Sequence, residues 1–425
     1  MKKTLENITK ILIYTSFFVP LVVIPSSFIF PFIVPKILLF RSLTILMLGC
    51  YISLLFVNWQ EYKPKFTPIS LVLGFFVFSF AISTFVGVDP YHSFWDNHER
   101  MLGLFTILHY FIFYLICSSV FKNWSEWKVA LKIFLLAGSI VMILGMMQKA
   151  DPNFLMNQSS DRVASTLGNS IYVGGYALFL FFTSFLLLMK EKSYFWKVVC
   201  GIAGLISFIG MILSGTRGSL LGFLVGIFVI LLGYSLTLRS RPKARRLSLS
   251  ILAICVVVLG VLYFNRQNTT VINIPVLGRL LNSSLSMGTG STRLIAWNIA
   301  IEGWKERPIF GWGPNNFFYA FNKYYNPKSL EYGYGETWFD NAHNIILNTL
   351  TVQGAFGLMC YLSIFVIAIL VLWRNKELRD KNAHLVVLGS AFLVAHLAQN
   401  FTVFENPTSY LYFVFWLAMI NRLSQ

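Results

Sequence analysis

Apolar stretches of about 20 residues recur along the whole chain and are separated by shorter polar segments. A helix rises 1.5 Å per residue, so about 20 apolar residues cross the roughly 30 Å of hydrocarbon in a bilayer. The pattern therefore predicts about 12 transmembrane helices, and counts of ten and fourteen are also compatible with it. The predicted spans are 11–34, 37–57, 68–86, 102–120, 129–147, 171–189, 198–213, 218–238, 247–264, 345–373, 384–402 and 407–421.

These spans predict an all-α polytopic membrane protein in three parts. Residues 1–264 carry transmembrane helices one to nine, residues 265–344 form one large loop, and residues 345–425 carry helices ten to twelve. A connection as long as 265–344 is usually functional rather than a simple link. We therefore expect the chemistry of the protein to involve this loop.

Part of the large loop has the periodicity of an amphipathic helix. Large apolar residues recur at helical spacing within 291–307, and polar residues lie opposite them. Such a helix would lie flat at the membrane–water boundary. The residues of the predicted apolar face are Leu294, Trp297, Ile301 and Trp304.

Composition supports a membrane protein and excludes several other classes. The chain is 56% hydrophobic and only 12% charged, whereas soluble domains carry about 25% charged residues. A water-soluble enzyme, a disordered chain and a small disulfide scaffold are thereby excluded. The net charge of +17 would suggest nucleic acid binding in a soluble protein. Here membrane topology explains it better, and no nucleic acid partner is expected.

The basic residues predict the orientation of the chain. They gather in alternate loops, for example in 239–246 and 374–381, and short cytoplasmic loops are the ones that accumulate Lys and Arg. Both termini are therefore predicted to be cytoplasmic, with the large loop outside. The predicted spans contain no acidic residue, which weakens the case for a proton-coupled pump or ion transporter.

Three polar residues on the outer side suggest a chemistry. Arg217, Arg293 and His343 are each predicted to lie at or near the membrane surface. Guanidinium groups match phosphate oxygens, and an imidazole can accept a proton from a hydroxyl near neutral pH. Together they suit glycosyl transfer from a lipid-linked diphosphate without a metal. The simpler alternatives are a snorkelling arginine and a structural histidine at the end of a span.

Arg100 is a further candidate in a shorter outer segment. It would either assist phosphate binding or pair with Glu99 or Asp96.

Several short motifs, in order, resemble the O-antigen ligase/polymerase superfamily. The first is the turn between spans seven and eight, the next two fall in the large loop, and the last leads back into the membrane. The residues that carry the resemblance are Leu213-Ser214-Gly215-Thr216-Arg217-Gly218, Ser291-Thr292-Arg293 with Trp297, Pro308-Ile309-Phe310-Gly311-Trp312-Gly313, and Ala342-His343-Asn344 with Gly354 and Gly357.

This resemblance implies a GT-C-type glycosyltransferase of the bacterial inner membrane. It would transfer a glycan from undecaprenyl diphosphate to an acceptor on the periplasmic face, without a metal or other cofactor. By position, Arg217 and Arg293 would hold the diphosphate and His343 would activate the acceptor hydroxyl. From its adjacency to His343 we infer that Asn344 would orient the imidazole. The further substrate-binding positions in this interpretation are Arg100, Asn344 and Trp297.

The acceptor stays open at this point. The leading prediction is a ligase that joins O-antigen to lipid A-core, and the alternatives on the same carrier are a polysaccharide polymerase and a protein O-oligosaccharyltransferase. A lipid-linked oligosaccharide transporter is the alternative from a different class. It would require polar span interiors and repeated halves, and neither is seen in the sequence.

Overall fold

The computed structural model describes residues 1–25, 28–156, 162–238, 242–282, 289–332 and 337–425. Throughout these ranges the regular elements are helices and no strand occurs. The predicted all-α class is therefore confirmed.

The helices follow the predicted spans closely in most of the chain. Short 3-10 turns add to them at Val19–Leu21, Phe154–Met156, Ser165–Leu167 and Pro327–Tyr332. The helices before residue 265 are α1 (Lys2–Ser16), α2 (Val34–Val57), α3 (Trp59–Tyr62), α4 (Pro68–Val86), α5 (Pro90–Trp95), α6 (Leu104–Val120), α7 (Trp124–Ala150), α8 (Ser170–Lys190), α9 (Tyr194–Leu213), α10 (Arg217–Thr237) and α11 (Pro242–Phe264). The later ones are α12 (Thr269–Ile272), α13 (Leu277–Leu281), α14 (Thr289–Glu306), α15 (Phe317–Lys323), α16 (Ile345–Arg374), α17 (Lys376–Lys381), α18 (Ala383–Asn400) and α19 (Pro407–Leu423).

Nine helices in the described ranges are long and apolar enough to cross a membrane, namely α2, α4, α7, α8, α9, α10, α11, α16 and α18. The protein is therefore a multi-pass membrane protein. Helices α6 and α19 coincide with predicted spans but have 17 residues each, which is at the lower limit for a transmembrane helix. The predicted count of twelve is accordingly not confirmed.

The first predicted span, 11–34, is wrong as a single helix. Helix α1 ends at Ser16, and the next helix begins only at Val34. Pro20, Pro25 and Pro31 fall in this interval. Proline lacks the backbone N–H and disfavours helical geometry in the residue before it, so a continuous apolar run is divided here.

The chain divides into two compact units. The first comprises Met1–Asn123, Ser284–Ile367 and Asn400–Arg422, and the second comprises Trp124–Ser283, Ala368–Gln399 and Leu423–Gln425. The end of the predicted large loop thus has its own packing partners within the first unit, whereas α12 and α13 belong to the second.

In the first unit, α14, α15 and the residues around the start of α16 share a small hydrophobic core. Helix α14 packs against α15, and their side chains share this core with residues on both sides of His343. Burying such side chains stabilises the unit by about 25 cal/mol per Å² of apolar surface. The buried residues of this core are Ile299, Ala300, Phe317, Phe321, Ala342 and Val352.

Helix α14 confirms the predicted helix but buries a different face from the predicted one. Its most buried side chains include Ala296, Ile299 and Ala300, whereas Ile301 of the predicted apolar face is exposed. A Cβ added at Gly303 would lie 2.8 Å from the side chain of Ala320. Small residues allow close packing of this kind, and a periodicity of large apolar side chains does not detect them.

Helix α16 is interrupted at Gly354, which has φ +68° and ψ −174°. The break leaves backbone N–H and carbonyl groups of α16 without partners inside the helix. Such groups need other hydrogen bonds, because unsatisfied polar groups are costly in an apolar setting. The segment 308–313 supplies those partners, and the Ser83 hydroxyl also donates to the Phe310 and Val352 carbonyls at 2.7 and 2.8 Å. The backbone bonds run from Trp312 N to Thr351 O, Gly313 N to Val352 O, Ala355 N to Pro308 O and Phe356 N to Ile309 O.

In the second unit, α8 is the central helix and packs against both α7 and α9. Helix α10 approaches α18 closely, since a Cβ added at Gly222 would lie 2.5 Å from the carbonyl oxygen of Ala395. Helix α11 packs against α10, and Ser248 is its buried residue. Nearly all of the α11 surface is thus available to lipid.

Candidate active site

His343 lies in a short turn in the first unit, just before α16 begins. Its φ of +51° is unusual for a residue other than glycine, and such outliers concentrate at functional sites. The backbone N–H of His343 donates to Asn341 Oδ1 at 2.9 Å, and its Nδ1 lies 3.1 Å from the Asn341 carbonyl oxygen. A carbonyl can only accept, so Nδ1 carries the proton and Nε2 bears the lone pair.

The surroundings of the imidazole keep it neutral. The ring makes edge-on contacts with Phe339 and Phe404 at centroid distances of 5.4 and 5.2 Å. Burial, followed by the positive charges of Arg293 and Arg100, lowers the pKa of His343 to about 4. Both effects disfavour the imidazolium form, so at neutral pH His343 can accept a proton.

Arg293 lies on α14, near enough to His343 for its charge to act on the imidazole. The first unit therefore brings together two of the three predicted catalytic residues.

Arg100 pairs with Asp340 and not with the acids that its sequence neighbourhood suggested. Its Nε and Nη2 donate to Asp340 Oδ2 and Oδ1 at 2.5 and 2.8 Å, and its guanidinium lies 4.1 Å from the ring centroid of Phe404. Two parallel bonds of this kind fix both side chains. Sequence reasoning missed Asp340, because the pair is separated by 240 positions and no local spacing indicates it.

Asp96 shapes the turn that carries Arg100. Its side chain accepts from the backbone N–H groups of Asn97 and Leu102 at 2.8 and 2.7 Å. Burial raises the pKa of Asp96 above its usual range. This acid therefore organises the backbone.

Trp297 and Asn344 are hydrogen-bonded to backbone groups beside His343. Trp297 Nε1 donates to the Ala342 carbonyl at 3.0 Å. Asn344 Oδ1 accepts from Ile346 N and Leu347 N at 3.0 and 3.2 Å, which caps the first turn of α16. In this structure both side chains brace the turn of His343, and their predicted contact with substrate stays a prediction.

A cavity of about 210 Å³ lies beside the Arg100–Asp340 pair in the first unit. His92, Asp96, Arg100 and Asp340 line it together with aromatic and amide side chains, among them that of Asn341. A second cavity of about 60 Å³ shares Arg100, Asn315 and Asn341 with it.

The predicted residue Arg217 belongs to the second unit, as the first residue of α10. The turn before it is held by two arginines that sequence reasoning missed. Arg162 donates to the Ser214 carbonyl at 3.0 Å and to the Thr216 hydroxyl at 3.1 Å, and Arg279 donates to the Gly215 carbonyl. Neither arginine stands in a motif, so the sequence offers no signal for this arrangement.

The described residues contain no group of three or more His, Cys, Asp or Glu side chains that could hold a metal ion. The predicted independence from metal stays a prediction.

The fold and this site define a multi-pass membrane protein with basic side chains and a neutral histidine at helix ends. The family model described as O-antigen ligase matches residues 202–362, a range that includes Arg217, Arg293 and His343. Over these residues the chain is similar to the O-antigen ligase family, and the match confirms the resemblance seen in its motifs. Members of this family are glycosyltransferase-like ligases, so the match supports an enzyme in general terms. A search of curated proteins found no match.

Proposed function

We propose that this protein is a GT-C-type glycosyltransferase of the bacterial inner membrane, with about twelve spans and both termini in the cytoplasm. It transfers a glycan from undecaprenyl diphosphate to an acceptor hydroxyl on the periplasmic face, with lipid A-core as the leading acceptor. The observation that carries the proposal is His343, a neutral imidazole beside Arg293 with its proton held on Nδ1.

The proposed step is a single displacement. The acceptor oxygen attacks the anomeric carbon and forms the new glycosidic bond, while the bond from that carbon to the diphosphate oxygen breaks. The hydroxyl proton passes to His343 Nε2, and the lipid diphosphate departs with the bonding electron pair. Attack from the face opposite the leaving group inverts the anomeric centre.

The arginines stabilise the leaving group in this proposal. Arg293 and Arg217 bind the diphosphate, and neutralising the charge that develops there is often the largest contribution to catalysis. Arg162 and Arg279 hold the turn that carries Arg217 through backbone carbonyls. Because they act through another residue, we assign them a positioning role.

Donor binding also strengthens the base. The charge of Arg293 lowers the pKa of His343 in the unliganded protein. A bound diphosphate offsets that charge and so raises the pKa of His343. The histidine thus becomes a better proton acceptor when the donor is present.

Transfer by purified protein tests the proposal. We would incubate it in detergent with an undecaprenyl-diphosphate-linked glycan and a lipid A-core acceptor, with a chelator present, and resolve the products on a gel. His343→Ala should reduce transfer by about 10²-fold or more, the usual contribution of a general base. His98→Ala, an exposed outer histidine, is the matched control and should transfer like wild type.

Two other results are informative. Glycan that only lengthens on the lipid carrier would identify a polymerase. Full activity of His343→Ala, with product formed at the wild-type rate, would overturn the proposed base.

A further inference from the structure

We propose that the cavity of about 210 Å³ beside Arg100 and Asp340 is the binding site for one neutral sugar ring of the acceptor. This inference rests on the proposed function and adds the location and chemical class of the acceptor subsite.

The polar lining suits hydroxyl groups, each of which both donates and accepts. Asn315 Nδ2 is buried and makes no hydrogen bond within the described part of the chain, although Asn315 lines the cavity. A buried donor without a partner costs about 1–3 kcal/mol. A ligand oxygen at this position would satisfy it. Asn341 and Asn348 add further amide groups to the wall.

The charges in the wall disfavour a phosphate. His92, Asp96 and Asp340 line the cavity. His92 Nε2 lies 3.8 Å from Asp96 Oδ1, and the Asp340 carboxylate already pairs with Arg100 in two parallel bonds. An anion placed here would face carboxylate oxygens with the nearest guanidinium already neutralised. The cavity is therefore distinct in its chemistry from a diphosphate site, and a neutral ring fits it better.

One wall of the cavity is aromatic. The rings of Phe318 and Trp338 lie 6.2 Å apart, and Trp338 is 53% exposed. The C–H face of a pyranose packs well on such a surface, because aromatic rings combine a large apolar face with a negative quadrupole. Trp338 also donates through Nε1 to Asn322 Oδ1 at 3.2 Å, which fixes the indole in place.

The cavity shares Asn341 with the turn that holds the proposed base. Asn341 lines it and at the same time accepts the hydrogen bonds of His343 through both its side chain and its carbonyl. A sugar held against Asn341 therefore lies beside the residue that would deprotonate it. A volume of about 210 Å³ is below the roughly 300–1,000 Å³ of sites for drug-sized ligands, which indicates one ring and not a whole oligosaccharide.

Binding of simple glycosides tests the inference without requiring turnover. We would measure saturation-transfer NMR from the full-length protein to methyl glucoside, methyl galactoside and methyl N-acetylglucosaminide. The detergent must contain no sugar, since a maltoside would compete. At least one glycoside should bind, and glucose 6-phosphate should bind about tenfold more weakly than the neutral glucoside, as expected for one unfavourable charge interaction.

The variants are chosen to preserve the fold. Asn315 has φ +63°, a geometry that Asp and Gly tolerate. Asn315→Asp replaces the buried donor with an acceptor of the same shape, and Asn315→Gly removes the side chain. Each should weaken glycoside binding about tenfold, as should Trp338→Ala. Trp59→Ala, which removes a similarly exposed indole in α3, should bind like wild type.

Kinetics then separate this inference from the proposed function. Asn315→Asp and Trp338→Ala should raise KM for the acceptor and leave KM for the lipid-linked donor unchanged. Wild-type values for both variants in binding and in acceptor KM would overturn the acceptor site. Failure of the wild-type protein to transfer glycan to any acceptor would instead overturn the proposed function, and sugar binding in the cavity would still be measured.

Discussion

At the scale of single residues, the environment of His343 leads to a pH dependence that differs from that of an ordinary histidine. The base must be neutral to accept a proton, so activity falls as the pH drops through its pKa. Because that pKa is lowered to about 4, kcat/KM for the donor, which reports the unliganded enzyme, should stay constant from pH 8 to about 5. The parameter kcat reports the enzyme with donor bound, in which the pKa of His343 is higher. We therefore expect kcat to begin falling at a higher pH than kcat/KM does.

Arg293→Gln provides the control for this profile. Removing the positive charge should raise the pKa of His343 and move the acid limb of kcat/KM upward, even though overall activity drops. A limb near pH 6.5 in the wild-type enzyme that Arg293→Gln leaves in place would contradict the described environment.

Arg162 and Arg279, which hold the turn before Arg217, lead to a second prediction at the scale of single residues. Arg279→Gln removes the bond to the Gly215 carbonyl and should lower transfer about tenfold, the effect of losing about one charge-assisted hydrogen bond. The loss should appear in KM for the donor if the turn positions a diphosphate-binding residue. Arg266→Gln, in the same segment between α10 and α14, is the matched control. Equal effects of both changes on the donor KM would argue against a specific role for Arg279.

At this scale the sequence predicted charged residue types but not their partners. His343 and Arg217 stood out because they lie at the ends of predicted spans, and Arg293 because it lies in the predicted amphipathic helix of the large loop. Asp340 and Arg162 did not, because what distinguishes them is a contact with a residue far away in the chain. Such contacts depend on tertiary packing, which no local periodicity encodes.

At the scale of elements, the interruption of α16 depends on one glycine. A Cβ at Gly354 would lie 2.2 Å from the Ile309 carbonyl oxygen, and its φ and ψ fall in a region that is essentially restricted to glycine. Gly354→Ala should therefore lower the thermal unfolding temperature in detergent by several degrees, for a cost of roughly 1–3 kcal/mol or more.

Gly260→Ala is a suitable comparison, because the added Cβ would have nothing within 4 Å. It should leave the unfolding temperature within about 1 °C of wild type, as surface helix changes usually do. If the two variants melted alike, the interruption of α16 would not require glycine.

The predicted helices succeeded where apolar runs are long and uninterrupted, as in α8 and α10. The prediction failed at 11–34, where prolines divide the run. For α14 the helix was predicted but its buried face was not, because small residues form that face. Hydropathy measures how apolar a segment is. It does not register backbone breaks or the close packing of Ala296 and Ala300.

At the scale of the whole molecule, the proposed topology predicts which surfaces a membrane-impermeant maleimide reaches in intact cells. Glu302→Cys and His98→Cys lie at exposed positions in segments assigned to the outside and should be labelled. Lys192→Cys and Lys376→Cys are also exposed but are assigned to the cytoplasm, so they should be labelled only after lysis. Labelling of the second pair in intact cells would reverse or refute the topology.

The turn at Asn341 has a consequence for how such an enzyme changes over evolutionary time. Its main-chain carbonyl decides which imidazole nitrogen of His343 holds the proton, and no side-chain replacement at that position deletes a carbonyl. The cavity wall, by contrast, is built from replaceable side chains. Substitutions of those side chains can change which acceptor sugar the enzyme uses. The nitrogen of His343 that removes the proton stays the same.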